Sequence, residues 1–306
     1  MRDNISAPLD TLYHAARARG VPFVEDFVPR NGELKTDQLT LRYTEWGEPA
    51  NPTVLLLHGF AQTSHAWDLV SLALADRFHV ISLDQRGHGD SDWAPDGDYS
   101  PEAQQRDLDS VLDHLGKPQV IPVGLSMGGR NAYLLAARRP SAVKALVTVD
   151  TGPRTVRRGR TRIRDFVTMP DVLDSFEEFV ERVHAYVPHR SMEQIRLSLL
   201  NNIRETPDGK WTWKYDRILR DPNYRRPVMD EETAWKAWTS IKCPTLLVRG
   251  EESDVLDSET AMEMTRRLPG SREVEIPLAG HLVPGDNPAA FVLSVKPWLE
   301  SVIHGS

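Results

Sequence analysis

From residue 53 onward, the sequence alternates short, strongly apolar runs with segments of helical periodicity. Six of these runs have the length of buried strands: TVLLL, HVISLD, QVIPVG, VKALVTVD, PTLLVRG and REVEIP. Apolar runs without polar alternation are typical of strands that are covered on both faces, as in a parallel sheet flanked by helices. The pattern therefore predicts an α/β fold.

Two further strands are predicted before this series, over 21–29 and 39–47, as an antiparallel pair with a turn at Asn31-Gly32. A short amphipathic helix is predicted ahead of them, because Leu9, Leu12, Tyr13 and Ala16 share one helical face. We therefore expect an eight-stranded, mostly parallel sheet with helices on both faces.

The strand signal is interrupted over 151–240, where helical periodicity dominates and Trp211 and Trp213 suggest one short strand. Such an insertion has room over the carboxyl ends of the strands, where open α/β sheets bind ligands. We therefore predict two units: a core domain of 1–150 and 241–306, and a helical cap (lid) of 151–240 inserted after the sixth strand.

The composition limits the classes of molecule that the protein is expected to bind. The formal net charge is −7, which argues against nucleic-acid binding, and the arginine-rich run at 154–164 is interpreted as a solvated linker into the cap. Cys243 is the only cysteine, so no intrachain disulfide is expected. Neither a signal peptide nor a membrane-spanning stretch is indicated. We expect a cytoplasmic protein that binds small molecules, not nucleic acid or membrane, and the sequence does not indicate its oligomeric state.

The strongest motif is Gly124-Leu125-Ser126-Met127-Gly128, between an apolar strand and a predicted helix. A serine on a sharp strand-to-helix turn requires small residues two positions to either side, and both positions are glycine. The Met127 amide, at the start of the helix, would face negative charge beside the serine oxygen. The amide of Phe60, in His58-Gly59-Phe60 after the strand TVLLL, is the second expected oxyanion donor.

A serine nucleophile needs a base and an acid. His281 follows the last strand and is the expected base. Asp254, in the loop after PTLLVRG, is the expected acid, because the order serine, aspartate, histidine suits this architecture. Asp150, at the end of VKALVTVD, is the alternative acid.

These motifs, HGF, DQRGHGDS, GLSMGG, GEESDVL and AGH in this order, resemble those of the α/β-hydrolase superfamily, in its capped, carboxylesterase-like branch. The resemblance implies a catalytic triad of Ser126, Asp254 and His281, with oxyanion amides at Phe60 and Met127. One departure concerns the acid. Many members carry it where Ser253 stands here, so Asp254 lies one residue further along.

The resemblance implies a serine hydrolase (EC 3.1.1) that cleaves carboxylic esters of small to medium, largely apolar substrates through an acyl-enzyme, with water as the second substrate and no cofactor or metal. Ser126 argues against haloalkane dehalogenases and epoxide hydrolases, which use aspartate at this turn. Hydrolysis of carbon-carbon bonds or lactones stays open, as does a ligand receptor with slow turnover. Substrate chain length stays open too, since aromatic residues such as Trp235 and Trp238 could line a pocket or pack a cap.

Overall fold

The computed structural model describes residues 9–224 and 227–304, which contain one large sheet and one small sheet. The strands are, in chain order, β1 (Arg30–Lys35), β2 (Thr40–Trp46), β3 (Thr53–Leu57), β4 (His79–Leu83), β5 (Val120–Leu125), β6 (Leu146–Val149), β7 (Val172–Leu173), β8 (Ile203–Glu205), β9 (Trp211–Trp213), β10 (Thr245–Gly250) and β11 (Arg272–Ile276). Eight of them form the large sheet in the order β1-β2-β4-β3-β5-β6-β10-β11, and β7, β9 and β8 form the small one.

The large sheet is parallel from β4 to β11, and β1 and β2 are antiparallel additions at one edge. Every residue of β3, β4, β5, β6 and β10 is buried. This burial confirms the predicted α/β fold with its mostly parallel, eight-stranded sheet.

Helices cover both faces of the sheet. They are α1 (Leu9–Ala18), α2 (Asp68–Leu74), α3 (Pro101–Leu115), α4 (Met127–Arg138), α5 (Arg157–Val167), α6 (Phe176–Tyr186), α7 (Met192–Asn202), α8 (Glu231–Thr239), α9 (Ser258–Arg267), α10 (Val283–Asp286) and α11 (Pro288–His304), with 3-10 helices at Ser64–Trp67 and Arg217–Arg220. Within the described residues, no helix is long and apolar enough to cross a membrane.

Alternate residues of the strands contribute their side chains to two separate hydrophobic cores. Val54 and Leu56 of β3 face a core shared with α1, α2 and α11, whereas Leu55 and Leu57 face one shared with α3, α4, α8 and α9. Side chains of successive strand residues point to opposite faces, so a fully apolar strand supplies both layers.

The first hairpin differs from its prediction. β1 begins at Arg30, after the predicted strand 21–29, and Asn31-Gly32 lies within it. The turn is formed instead by Thr36, whose Oγ1 accepts a hydrogen bond from the Leu39 amide at 2.9 Å. Gly32 is needed in the strand because a Cβ there would lie 2.2 Å from the ring of Tyr43 on β2. The Asn-Gly pair therefore serves cross-strand packing.

Residues 151–240 lie between β6 and β10 of the large sheet, and this range supplies most members of a third hydrophobic cluster that includes Phe179 and Trp213. The last helix of the segment, α8, differs. Its Trp238 packs edge-on against Tyr133 of α4 at 6.0 Å and donates to the Met264 carbonyl at 2.9 Å. α8 thus packs with the main body, although it lies inside the predicted cap range.

Candidate active site

Ser126 lies on the sharp turn between β5 and α4. Its backbone has φ 53° and ψ −112°, a conformation that L residues rarely adopt. On a turn of this kind the serine side chain projects away from the backbone of the strand and the helix. Its amide donates to the Val149 carbonyl at 3.0 Å, so the turn is fixed to the end of β6. The side chain is half-buried.

The glycines around Ser126 are required by close contacts. A Cβ at Gly124 would lie 2.2 Å from the carbonyl oxygen of Gly128, and a Cβ at Gly128 would lie 2.1 Å from that of Leu57 on β3. Both obstacles are backbone atoms, which cannot move aside without disturbing the sheet. The Gly-X-Ser-X-Gly spacing is therefore imposed by the packing of the turn between β3 and α4.

Asp150 follows β6 and lies at the strand end next to Ser126. β5 and β6 pair in parallel with Leu125 opposite Val149, so the residues after each strand are neighbours at one edge. Asp150 is fully buried and has φ 48°, another left-handed conformation for a residue other than glycine. Its Oδ1 accepts a hydrogen bond from the Gly250 amide at 3.1 Å.

His281 reaches this carboxylate. Its Nδ1 lies 2.8 Å from Oδ2 of Asp150, and its side chain is only 8% exposed. With the Nδ1 proton donated to the aspartate, a neutral imidazole keeps its lone pair on Nε2. Ser126, Asp150 and His281 therefore belong to one edge of the sheet, with the acid bonded to the histidine.

The structure does not bring Asp254, the acid expected from the sequence, to His281. Its Oδ2 instead accepts a hydrogen bond from Arg162 of α5 at 3.0 Å. Its backbone carbonyl contacts Gly159 of the same helix, where a Cβ would lie 2.3 Å away. The contact at His281 thus belongs to Asp150, the alternative acid, and Asp254 faces the inserted segment. The arginine-rich run, predicted as a linker, is largely helical and supplies this contact.

Ser253, the residue before Asp254, bonds directly to Asp150. Its Oγ donates to Oδ2 of Asp150 at 2.6 Å and accepts hydrogen bonds from the amides of Val255 and Leu256, both at 3.1 Å. The position where many family members carry the acid is therefore occupied by a hydroxyl that holds a carboxylate from the neighbouring strand. Sequence reasoning did not assign a role to Ser253, although its departure from the family pattern was the signal.

The loop that carries His281 is braced by a buried carboxylate. Asp286, only 2% exposed, accepts from the Gly280 amide on Oδ2 at 3.0 Å and from Arg190 on Oδ1 at 2.8 Å. Leu278, three residues before the histidine, has φ 54°. This bracing, also not predicted from the sequence, fixes the approach of the histidine to the edge of the sheet.

The two expected oxyanion donors lie at the ends of neighbouring strands. Phe60 follows β3 and Met127 follows Ser126, and β3 pairs with β5. Because Met127 is the first residue of α4, its N–H has no acceptor within the helix. The Gly59 amide donates to Oε1 of Gln62 at 2.9 Å, and Ala61 has φ 62°, so this loop has a defined, strained shape.

His58, next to this loop, is structural. Its Nδ1 donates to the Gly59 carbonyl at 2.7 Å, and its Nε2 accepts from the Gln85 amide at 3.0 Å. Burial lowers the pKa of His58, which keeps the ring neutral and in the tautomer that these two bonds require. The interpretation of His58 as a loop-bracing residue is confirmed.

A cavity of about 570 Å³ lies beside these residues. Its walls come from α1, the 3-10 helix Ser64–Trp67, α7 and α10, and its lining includes Leu125 and Gln62 but neither Ser126 nor His281. The lining is a mixture of apolar, polar and charged side chains. Trp235 and Trp238 are not among the lining residues and pack in the core with α4, which is the packing role that the sequence left open for them beside pocket lining.

Comparisons with known proteins agree with this geometry. The model of the α/β hydrolase fold family matches residues 52–288. The chain is 33% identical over 263 residues to esterase Rv0045c of Mycobacterium tuberculosis, covering 84% of this chain and 85% of that protein. It is 31% identical over 267 residues to a 3-hydroxybutyrate-oligomer hydrolase of Cupriavidus necator, covering 83% and 91%.

The crystal structure of the Mycobacterium tuberculosis esterase superposes with a TM-score of 0.77 at 30% identity, covering 94% of this chain and 96% of that one. The turn at Ser126, the sheet order and these similarities lead to one conclusion. The chain belongs to the α/β hydrolase fold family and is a hydrolase related to esterases.

Proposed function

We propose that the protein hydrolyses carboxylic esters of small to medium size through an acyl-enzyme on Ser126. His281 is the general base and Asp150 orients it, in place of Asp254. The amides of Phe60 and Met127 stabilise the oxyanion. The observation that carries this proposal is the 2.8 Å contact between His281 Nδ1 and Asp150 Oδ2 at the strand end next to Ser126.

The proposed reaction has two steps. Nε2 of His281 takes the Ser126 proton as Oγ attacks the ester carbonyl, and the tetrahedral oxyanion collapses when the protonated imidazole gives this proton to the departing alcohol. A water molecule, deprotonated by the same imidazole, then attacks the acyl-serine, and the imidazolium returns the proton to Ser126 Oγ as the acid is released. Asp150 keeps its negative charge throughout and stabilises the imidazolium in both steps.

A spectrophotometric assay tests the activity. Purified protein is incubated with p-nitrophenyl acetate, butyrate and octanoate, and mass spectrometry follows the acyl adduct during turnover. We expect release of p-nitrophenol and an acyl group on the peptide that contains Ser126. Ser126→Ala should remove both signals, while Ser64→Ala, at a buried serine in the 3-10 helix, serves as a matched control.

The alternatives give different results in the same assay. A receptor with slow turnover would release no p-nitrophenol above background at any chain length. A carbon-carbon bond hydrolase or a lactonase would turn over a vinylogous diketone or a γ-lactone faster than the esters. Turnover that survives Ser126→Ala would contradict the proposed nucleophile.

A further inference from the structure

The cavity beside the proposed nucleophile has two guanidinium groups in its wall. Arg19 comes from the end of α1, and Arg190 comes from the turn before α7. Arg19 Nη2 donates to the carbonyls of Gly285 at 2.6 Å and Asp286 at 3.0 Å. In residues 9–224 and 227–304, its Nε and Nη1 groups have no hydrogen-bond acceptor.

Arg190 is held in a similar way. Its Nε donates to Asp286 Oδ1 and its Nη2 to the Leu282 carbonyl at 3.2 Å, and its side chain is 12% exposed. Its Nη1 has no acceptor among the described residues. Burial and the nearby charge of Arg190 lower the pKa of Arg19 to about 10. Both guanidiniums contact the same short segment, 282–286, and an anion bound beside them would offset the repulsion between their charges.

The charges around the cavity favour a single negative charge. The carboxylate of Asp286 pairs with Arg190, whereas Arg19 contacts only the backbone carbonyl of Asp286, so the two arginines and this carboxylate together carry one net positive charge. His65 and Asp68, also in the wall, form an ion pair at 2.9 Å and add no net charge when the imidazole is protonated. The remaining charged group, Glu193, is exposed to solvent, where its field is screened.

Part of the cavity wall is next in the chain to the proposed reaction centre. Leu125, which precedes Ser126, lines it, as does Gln62, whose Oε1 holds the Gly59 amide. A cavity of about 570 Å³ is within the size range of small-molecule sites. A ligand that extends from Ser126 past Leu125 would enter this cavity, whose wall carries the two arginines.

We propose that this cavity binds the free carboxylate at the far end of an ester substrate, so that the protein prefers half-esters of dicarboxylic acids and similar acyl groups that end in a carboxylate. This inference rests on the proposed ester hydrolysis and replaces the largely apolar substrate expected from the sequence. A pair of guanidiniums suits a carboxylate because their free N–H groups can donate charge-assisted hydrogen bonds to both of its oxygens.

Paired substrates test the inference. Mono-p-nitrophenyl suberate and mono-p-nitrophenyl adipate carry the free carboxylate, and their methyl-capped counterparts have the same chain without the charge. We expect kcat/KM to be roughly ten-fold or more higher for the charged member of a pair, the effect of a charge-assisted contact. Equal values for charged and capped esters would overturn the inference, while their hydrolysis would still support the proposed function.

Two variants of α1 sharpen the test. Arg19→Gln should bring the kcat/KM values of the charged and the capped ester close together, and Arg19→Lys should restore part of the difference. Arg17→Gln is the matched control, because Arg17 lies on the same helix, is exposed and pairs with Glu25. An equal loss on both esters in Arg19→Gln, with the preference kept, would mean that Arg19 only anchors α1 and would overturn the inference.

A binding measurement separates the two proposals. Calorimetric titration of the Ser126→Ala protein with monomethyl suberate needs no turnover, and we expect saturable binding that Arg19→Gln weakens roughly ten-fold or more. Dimethyl suberate should bind more weakly. If no ester is hydrolysed but the monoester still binds in this way, the proposed function fails and the carboxylate site stands. Equal binding of both esters overturns the site.

Discussion

Asp150 and Asp254 lie close to the same edge of the sheet, but their surroundings differ. Asp150 follows a buried strand, is fully buried and accepts hydrogen bonds from Gly250, Ser253 and His281. Asp254 lies in a loop, is 22% exposed and bonds to an arginine of α5. A carboxylate that orients an imidazole has to be held from several directions, and a strand end next to other strand ends provides this more readily than a loop.

Ser253 and Asp254 also show how neighbouring residues of one loop reach different partners. The hydroxyl of Ser253 lies 2.6 Å from the carboxylate of Asp150. Residues 253 and 254 extend from the loop in different directions, one toward β6 and the other toward α5. A shift of one residue in the loop is therefore enough to remove a side chain from the site.

Asp150→Asn is the most direct way to break this comparison. An amide cannot hold the imidazole in the tautomer that leaves Nε2 free, so we expect kcat for p-nitrophenyl butyrate to fall on the order of 10³–10⁴-fold. The melting temperature should be recorded beside the kinetics, to confirm that the variant is folded. A loss of less than ten-fold would return Asp254 to consideration as the acid.

Ser253→Ala should have an intermediate effect. It removes one of the donors to Asp150, so the carboxylate is held less firmly, and we expect kcat to fall roughly ten-fold with KM nearly unchanged. Ser253→Thr, which keeps the hydroxyl, should recover most of the rate. If Thr and Ala are equally slow while both proteins melt like the parent, the hydroxyl has no positioning role.

His65 and Asp68 provide a second histidine-aspartate pair, whose contribution to stability depends on pH. Burial acts to lower the pKa of His65, but the charge and hydrogen bond of Asp68 outweigh it and raise the pKa to about 9. Because the pKa of His65 is higher in the folded protein than the unfolded value near 6.5, the protonated pair stabilises the fold fully below pH 6.5. This contribution to stability is lost as the pH rises through 9.

We therefore expect His65→Gln to lower the free energy of unfolding by about 1–2 kcal/mol at pH 6, after allowance for partial exposure. The difference from the parent should disappear near pH 10. Urea unfolding at both pH values measures it, and Asp68→Asn should give the same pH dependence. A difference that grows with pH would show that the pair does not act through protonated His65.

Asp254→Asn should have the smallest effect. The carboxylate pairs with a half-exposed arginine, and such contacts contribute about 0–1 kcal/mol. We expect kcat/KM within roughly two-fold of the parent and a free energy of unfolding within about 1 kcal/mol. The same esters and denaturant series apply as for Asp150→Asn. A loss as large as that of Asp150→Asn would equate the two carboxylates and refute the distinction drawn between them.

The sheet was predictable because its signals are local. A run such as TVLLL is apolar at every position, and Gly124 and Gly128 are required by contacts within one turn. The helix caps follow the same principle: Ser100 accepts from the Ala103 amide, and Gly116 ends α3 with φ 58°. Patterns of this kind depend on only a few neighbouring residues.

The acid, the first hairpin and the cavity depend on contacts between distant residues. Asp150 directly follows β6 and Asp254 lies in the loop after β10, and what separates them is contacts with distant residues: His281 for the first and Arg162 of α5 for the second. Asn31-Gly32 has the composition of a hairpin turn, but the ring of Tyr43 decides its place. No local pattern brings Arg19 to Arg190, which is far away in the chain.

Four residues other than glycine have positive φ angles among the described residues: Ala61, Ser126, Asp150 and Leu278. Each belongs to or adjoins the proposed active site. A backbone conformation with positive φ costs of order 1–3 kcal/mol per residue. The rest of the fold must offset this energy. Selection for thermal stability alone would therefore favour glycine at these positions, and the most heat-resistant descendants of this protein could be the ones that had stopped being enzymes.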